Sequence, residues 1–454
     1  MHTESNDDRM TSAPVWGEFV RFSVPSVLGM LAISSATIVD GLVVGNYVGA
    51  EALAAVTIVM PMLSVLFGIL IMLSVGSAVM AGKMIGEGKL DEASGVLGKT
   101  SLSVFVVTSL IALVALIWPD SLVQVMGAKD ELIATSSVYL WWMSWFLPFL
   151  GIAVLLMQFL RVDGKPGLSL GVMVSVTVIN IVLDIILVVY MDMGLEGAAI
   201  ATGASYLIGA LAALPAFVGK GSHLHFAVSR GSWSVVYKAA LNGASEFLNE
   251  ASIGLVMLVF NWVLMTQVGT IGVASFAIVN YLMMIGIMIF YGVAESLGAL
   301  FSVNLGARKE LRIEQLLRYG LGTSVSIGIV FALLLFFYSD VLVGVFADDN
   351  DMETQAFAVT IAMAIWPVFL FSGANIIITS YFTGMQKPSL SAILAILRSL
   401  VLPIVFILVL WQLFGLVGVF YALPLAELIT LFVSLMLLSK NLPKRFVESS
   451  ASPL

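Results

Sequence analysis

Twelve apolar runs separated by short polar breaks dominate this 454-residue chain and leave it one kind of fold. Their approximate cores are 19–44, 52–82, 96–118, 132–160, 168–190, 197–218, 238–265, 272–304, 318–339, 355–383, 390–411 and 416–439. A bilayer crossing takes roughly 20 apolar residues. The longest runs exceed this and predict tilt, kinks or extension past the hydrocarbon. Hydrophobic residues make up 60% of the chain and charged ones 11%, with mean hydropathy +1.08. Soluble domains carry roughly 25% charged residues, so no water-soluble packing hides this surface. The reading is an all-α membrane protein with twelve transmembrane helices. Soluble enzymes, nucleic-acid binders and disordered chains are excluded.

Absences narrow the class. There is no cysteine, and the three histidines, His2, His223 and His225, all fall in polar segments. Neither a zinc-protease helix nor a phosphate-binding G-x-x-x-x-G-K-[ST] loop occurs. No enzymatic activity, resident metal or cofactor is therefore expected. The opening MHTESNDDRMTSAPV is polar and reads as a cytoplasmic tail, with no basic segment leading into a short apolar core. The net charge of -8 comes largely from loops.

Orientation follows from the basic residues. Of the 20 lysines and arginines, all but Lys129 and Arg398 lie on the side of the even-numbered loops and the two tails. Asp348, Asp349, Asp351 and Glu353 cluster on the other side. A span missed or added near the middle would destroy this asymmetry. Both termini are expected in the cytoplasm. Trp118 and Trp411 near outer ends, and Trp16 and Trp233 near inner ends, fit interfacial anchoring.

The chain also repeats itself. At an offset of 220, YVGAEALAAVTIV (47–59) lies over QVGTIGVASFAIV (267–279), and IGEGKLDEA (85–93) over LGARKELRI (305–313), pairing Gly86 with Gly306. At offset 222, DGKPGLSL (163–170) meets MQKPSLSA (385–392), and at 221 MGLEGAAI (193–200) meets FGLVGVFY (414–421). Each copy holds six spans, an even number, so the copies are parallel and related by a pseudo-two-fold axis along the membrane normal. The expected organisation is an amino-terminal tail (1–18), a first lobe (19–218), a linker (219–237), a second lobe (238–439) and a carboxyl-terminal tail (440–454). A cavity between the lobes could open alternately to each side.

Ionisable residues within spans cost roughly 2.5–3.5 kcal/mol each on insertion scales and need a reason. Asp40 in span 1 and Asp184 in span 5 share about one depth, because both helices run outward. Asn180 precedes Asp184 by one turn on the same face, and Thr202 enters span 6 at about that level. This oxygen-rich set suits a coupling cation. Sodium takes oxygen ligands; alternatively, two close carboxylates do not both ionise cheaply, and one holds a proton. Bonding to the backbone or solvation near the headgroups is the plainer alternative. Glu246 and Glu250 share a face of span 7 and read as a solvated vestibule or an auxiliary cation site, while Glu295 in span 8 stays undecided. Arg398 and Glu427, near mid-span in spans 11 and 12, read as a structural ion pair. Pro25 should kink span 1, with Gly29 one turn on as a second hinge position. Methionines lining a cavity would suit varied greasy substrates.

The stretch VDGLVVGNYVGAEALAAVTIVMPM (39–62), the loop IGEGKLDEA with its copy LGARKELRI, and the six-plus-six parallel arrangement resemble the multidrug and toxic compound extrusion (MATE) family over nearly the whole chain. The resemblance implies two six-helix bundles forming a V-shaped antiporter that exports organic cations and other drugs against H+ or Na+ influx. It matches Asp40 to the acidic position of helix 1, and Asn180, Asp184 and Thr202 to the polar amino-lobe cluster of the DinF-like prokaryotic branch. The NorM-like branch carries a carboxylate in helix 10, where FLFSGANIIITS (369–380) offers only Asn375. That departure points to first-lobe coupling. The expected partners are small-molecule drugs or organic cations and the lipid bilayer, with no nucleic acid, and the expected unit is a monomer. The alternative is a lipid-linked precursor flippase of the same superfamily. Such proteins commonly have two further helices and a basic cavity, and here Arg398 is the one cation within a span.

Overall fold

The computed structural model describes residues 6–219, 224–346 and 351–444. His2, His223, Lys220, Arg445, Asp348 and Asp349 lie outside the described residues, as do parts of both tails and of the linker. Among the described residues the only regular elements are helices, with no strand.

Among the described residues, ten helices are long and apolar enough to cross a membrane, and two more spans are each a bent pair. In chain order they are α1 Val15–Val48, α2 Glu51–Gly86, α3 Leu90–Ile117, α4 Glu131–Ser144 with Leu147–Val162, α5 Pro166–Tyr190 and α6 Gly194–Val218. The second set is α7 Ala244–Gln267, α8 Thr270–Gly306, α9 Glu310–Gly344, α10 Met352–Ile365 with Val368–Gly384, α11 Pro388–Phe420 and α12 Ala422–Lys440. The repeat is visible in the irregularities. α4 and α10 both bend by 54°, and Trp145 and Trp366, at offset 221, stand at the two breaks. α1 is continuous through Pro25. A short helix, Ser234–Asn242, precedes α7 and ends at Gly243.

The two bundles meet along α1 with α8, α2 with α7, and α2 with α8. Where helices have no hydrophobic drive to associate, small residues let their backbones approach, and this seam is made of them. A Cβ on Gly86 would overlap the Val303 carbonyl oxygen, and one on Gly306 would overlap that of Lys83. Each contact is the other moved by 220 residues, so the pseudo-two-fold axis passes between α2 and α8 here. Gly76 abuts the Ala239 carbonyl and Gly243 that of Met72. Their counterparts at offset 220, Ser296 and Ser23, bond each other at 2.8 Å. All these approaches lie in the halves of the helices nearest the termini and the basic loops, called here the basic face. There the bundles form a closed floor.

Two further pieces brace the floor. The N-terminal helix Asn6–Ser12 buries Met10 completely. Arg312 of α9 donates to the carbonyls of Ala13 (2.6 Å) and Met10 (3.1 Å). Buried Glu18 pairs with both Arg9 (2.7 Å) and Arg21 (2.9 Å). The linker is pinned to α3 by Lys99, whose Nζ donates to the Arg230 carbonyl, and by Ser94 Oγ, which accepts from His225 N at 3.1 Å.

Candidate coupling niche and inter-lobe cavity

The first polar cluster lies inside the first bundle. α5 keeps α-helical geometry up to Asp184 and then widens into a π-helical segment, Ile185–Tyr190. α1 does the same over Val44–Val48, four residues past Asp40. The Gly49 and Met191 amides accordingly reach back five residues, to Val44 O (3.0 Å) and Ile186 O (2.9 Å). A π-turn shifts the helical register without unwinding the helix and is common at functional sites. The third such segment among the described residues, Leu397–Val401, contains Arg398. All three thus adjoin an intramembrane charge.

Asp184 has no exposed surface, and Asn180 and Thr177, on earlier turns of the same face, are also buried. Asn180 Nδ2 donates to Thr202 Oγ1 of α6 at 3.4 Å. Asp40 comes in from α1, half-buried. The two carboxylates lie within electrostatic reach of each other and of the buried Tyr139 hydroxyl on α4. Asp40 Oδ1, both Asp184 oxygens and Thr177 Oγ1 are buried with no protein hydrogen-bond partner. A carboxylate left so costs several kcal/mol unless something neutralises it. The available donors are oxygens only: two carboxylates, an amide and hydroxyls. This chemistry fits a proton or a sodium ion.

The second cluster lines a cavity of about 350 Å³ between the bundles, above the floor. Its apolar wall includes Met30, Met283, Met284 and Met288, with Ile71, Ile253 and Ile287. Its charged residues are Glu246, Glu250, Glu295, Arg161 and Arg398. With all five ionised, three carboxylates against two guanidiniums give it a formal charge of one negative. Arg398 is held from behind: its NH2 donates to Tyr291 Oη at 2.9 Å, and its Nε stands 3.6 Å from Glu427. Asn375 fixes Glu427 at 2.7 Å and accepts from Ser434 at 2.9 Å. Arg161 of α4 pairs with Glu295 of α8 at 2.7 Å, bundle to bundle.

This arrangement can be compared with known proteins. The MatE family model matches residues 25–186 and 244–409, one stretch in each bundle. The chain belongs to the MATE family. Its curated relatives include the multidrug export protein MepA of Staphylococcus aureus (strain MSSA476), 26% identical over 427 residues and 91% of each chain. MepA of Staphylococcus saprophyticus is 25% identical over 432 residues and 93% of each chain. Among solved structures, MATE in complex with MaL6 superposes with a TM-score of 0.91 at 21% identity, covering 98% of this chain and 99% of that one. MATE in the straight conformation gives 0.90, also at 21% identity. The expected family and the twelve-helix, two-bundle fold are borne out.

For this MATE chain, the four residues proposed for coupling, Asp40, Asp184, Asn180 and Thr202, converge on one niche. Glu246, Glu250 and Glu295 are not part of it; they face the cavity. Gly29 lies against the Met173 sulfur of α5, so a Cβ there would require that side chain to shift. The sequence reading missed Tyr139 and Thr177. Thr177 sits three residues before Asn180 and seven before Asp184, a spacing that could have flagged it. It also set Arg161 on the loop side of the membrane. α4 runs on to Val162 and carries that arginine, 2% exposed, into the inter-bundle seam.

Proposed function

We propose that this protein is a multidrug efflux antiporter that exports organic, often cationic, compounds in exchange for H+ or Na+. Coupling takes place at the first-bundle carboxylates, as in the DinF-like branch. The observation that carries the reading is the pairing of two separate sites in one chain. One is an oxygen-only niche with unpartnered carboxylate oxygens; the other is a net-negative, methionine-walled cavity between two rockable bundles. The export activity named for the MepA relatives supports the substrate class.

The basic face is the cytoplasmic one by the lysine and arginine distribution, with both termini inside and the chain in a prokaryotic inner membrane. The closed floor then makes this an outward-facing state. An ion entering the niche from outside relieves the repulsion between Asp40 and Asp184 and shifts α1 against α5, with Pro25 and Gly29 as the bending points. The cavity wall that α1 supplies through Met30 moves with it, and the drug is released outward. One chain holds niche, cavity and both bundles, so a monomer suffices. A lipid-phosphate cargo, the flippase alternative, would meet three glutamates against two arginines. The test is efflux of rhodamine 6G, a fluorescent cation, from proteoliposomes given either a pH jump or a sodium jump. Stimulation by one jump identifies the coupling ion, and stimulation by neither rejects antiport.

A further inference from the structure

We propose that Glu295 is a counter-charge for the cationic cargo that the protein switches on and off, and that Arg161 is the switch. This rests on the antiport reading above. Both Glu295 oxygens are met from the opposite bundle: Oε2 forms an ion pair with Arg161 NH1 at 2.7 Å, and Oε1 accepts a hydrogen bond from Gln158 Nε2 at 3.1 Å. Gln158 and Arg161 stand one turn apart on α4, and all three side chains line the cavity. Glu295 keeps 18% of its side chain exposed there, against 3% for Arg161. The next residue along α8, Ser296, makes the bond to Ser23 that closes the floor.

Opening the floor moves α8 away from α4. An ion pair at 2.7 Å that spans the seam does not survive such a movement. Arg161 stays with its own bundle, where it already donates to Gln158 Oε1 (2.7 Å) and the Met173 sulfur (3.3 Å). Glu295 goes with the other bundle and joins Glu246 and Glu250, while Arg398 remains tied to Tyr291 and Glu427. The total charge of the cavity is unchanged, but its α8 wall carries an unpaired carboxylate when it faces the cytoplasm, with the Arg161 charge drawn back on the α4 wall, and the two are paired again when it faces out. Cations bind tightly on the side where they are scarce and are let go on the other.

A purely structural ion pair accounts for less. The seam closes on glycine and serine contacts that need no charge, and a buried ion pair adds little net stability. The pair also breaks the repeat: at offset 220 the counterpart of Glu295 is Val75.

The chain has no cysteine, so a Ser23→Cys, Ser296→Cys pair, oxidised, can lock the floor shut against a clean background. Rhodamine 6G binding is then measured at equilibrium by fluorescence anisotropy in lipid nanodiscs. Adding Arg161→Gln to the locked protein should tighten binding about tenfold, the effect of one unit charge several ångströms away at intermediate dielectric. Adding Glu295→Gln as well should return it to the locked starting value. Arg161→Lys, which keeps the charge, should bind as weakly as the locked parent. Unchanged or weaker binding in locked Arg161→Gln protein that still elutes as a single folded species overturns the proposal. So does equal tightening by Arg161→Lys. No gradient enters this measurement, so efflux by the parent chain tests the antiport reading separately.

Discussion

Asp184 is wholly buried in the first bundle, without a protein donor on either oxygen. Its counterpart in the second bundle, at offset 222, is Phe406, and that of Asp40, at offset 220, is Phe260. The repeat therefore supplies the scaffold twice and the carboxylates once. Asp40→Asn keeps the shape and removes the charge; gradient-driven rhodamine 6G efflux in proteoliposomes should fall at least tenfold while size-exclusion profile and melting temperature hold. Retained efflux would count against coupling in this niche. At the axis, Gly86→Val places a branched side chain against the Val303 backbone. Overpacking of this kind costs about 1–3 kcal/mol, here levied on the closed floor alone. Disulfide formation between Ser23→Cys and Ser296→Cys should slow in that background, because the floor spends less time shut.

Among the elements, the N-terminal helix and α10 make the clearest claims. The N-terminal helix is tied to the floor by Arg312, which holds the carbonyls of Met10 within it and of Ala13 just past its end. Hydrogen bonds to a charged donor contribute roughly 1.5–3 kcal/mol each. Arg312→Ala should therefore free residues 10–13, seen as a rise in their amide exchange with little change in α9. α10 begins at Asp351, whose carboxylate accepts from Thr354 N at 3.1 Å. A hydrogen bond from the Thr354 side chain, together with this one from its amide, holds the Asp351 carboxyl below its ordinary value. The sign follows: the cap contributes above the unfolded carboxylate value of about 4 and is lost as pH falls through the lower folded one. Exchange over 352–355, corrected for intrinsic rates, should rise only in strong acid, and Asp351→Asn should remove that dependence. The π segments belong to this scale as well. No periodicity in the apolar runs distinguishes a π-turn from an α-turn, so these three sites beside Asp40, Asp184 and Arg398 were not legible beforehand.

At the scale of the whole molecule, much was legible and for identifiable reasons. The twelve spans, the parallel repeat and the segregation of basic loops each follow from residues read one at a time against the bilayer. Insertion cost is a local property: an aspartate within a span is anomalous whatever its neighbours, which is why Asp40 and Asp184 stood out without a structure. The 220-residue offset held because glycines at a helix crossing tolerate no Cβ; Gly86 and Gly306 face each other for that reason. What the chain's order could not convey was which faces meet. Arg161 looked like one more loop arginine because it lies at the last turn of α4, and only the crossing of α4 with α8 turns it toward Glu295. Glu295 itself had no stated role until that crossing gave it a partner. Tyr139 joins the niche because its half of α4 packs against α2 and α6, the helix that carries Thr202. Hydropathy and charge act residue by residue and can be read from the order of the chain. Pairing across a seam depends on helix rotation and crossing, which many small contacts decide together, and so the niche's carboxylates belong to the sequence while their surroundings belong to the fold.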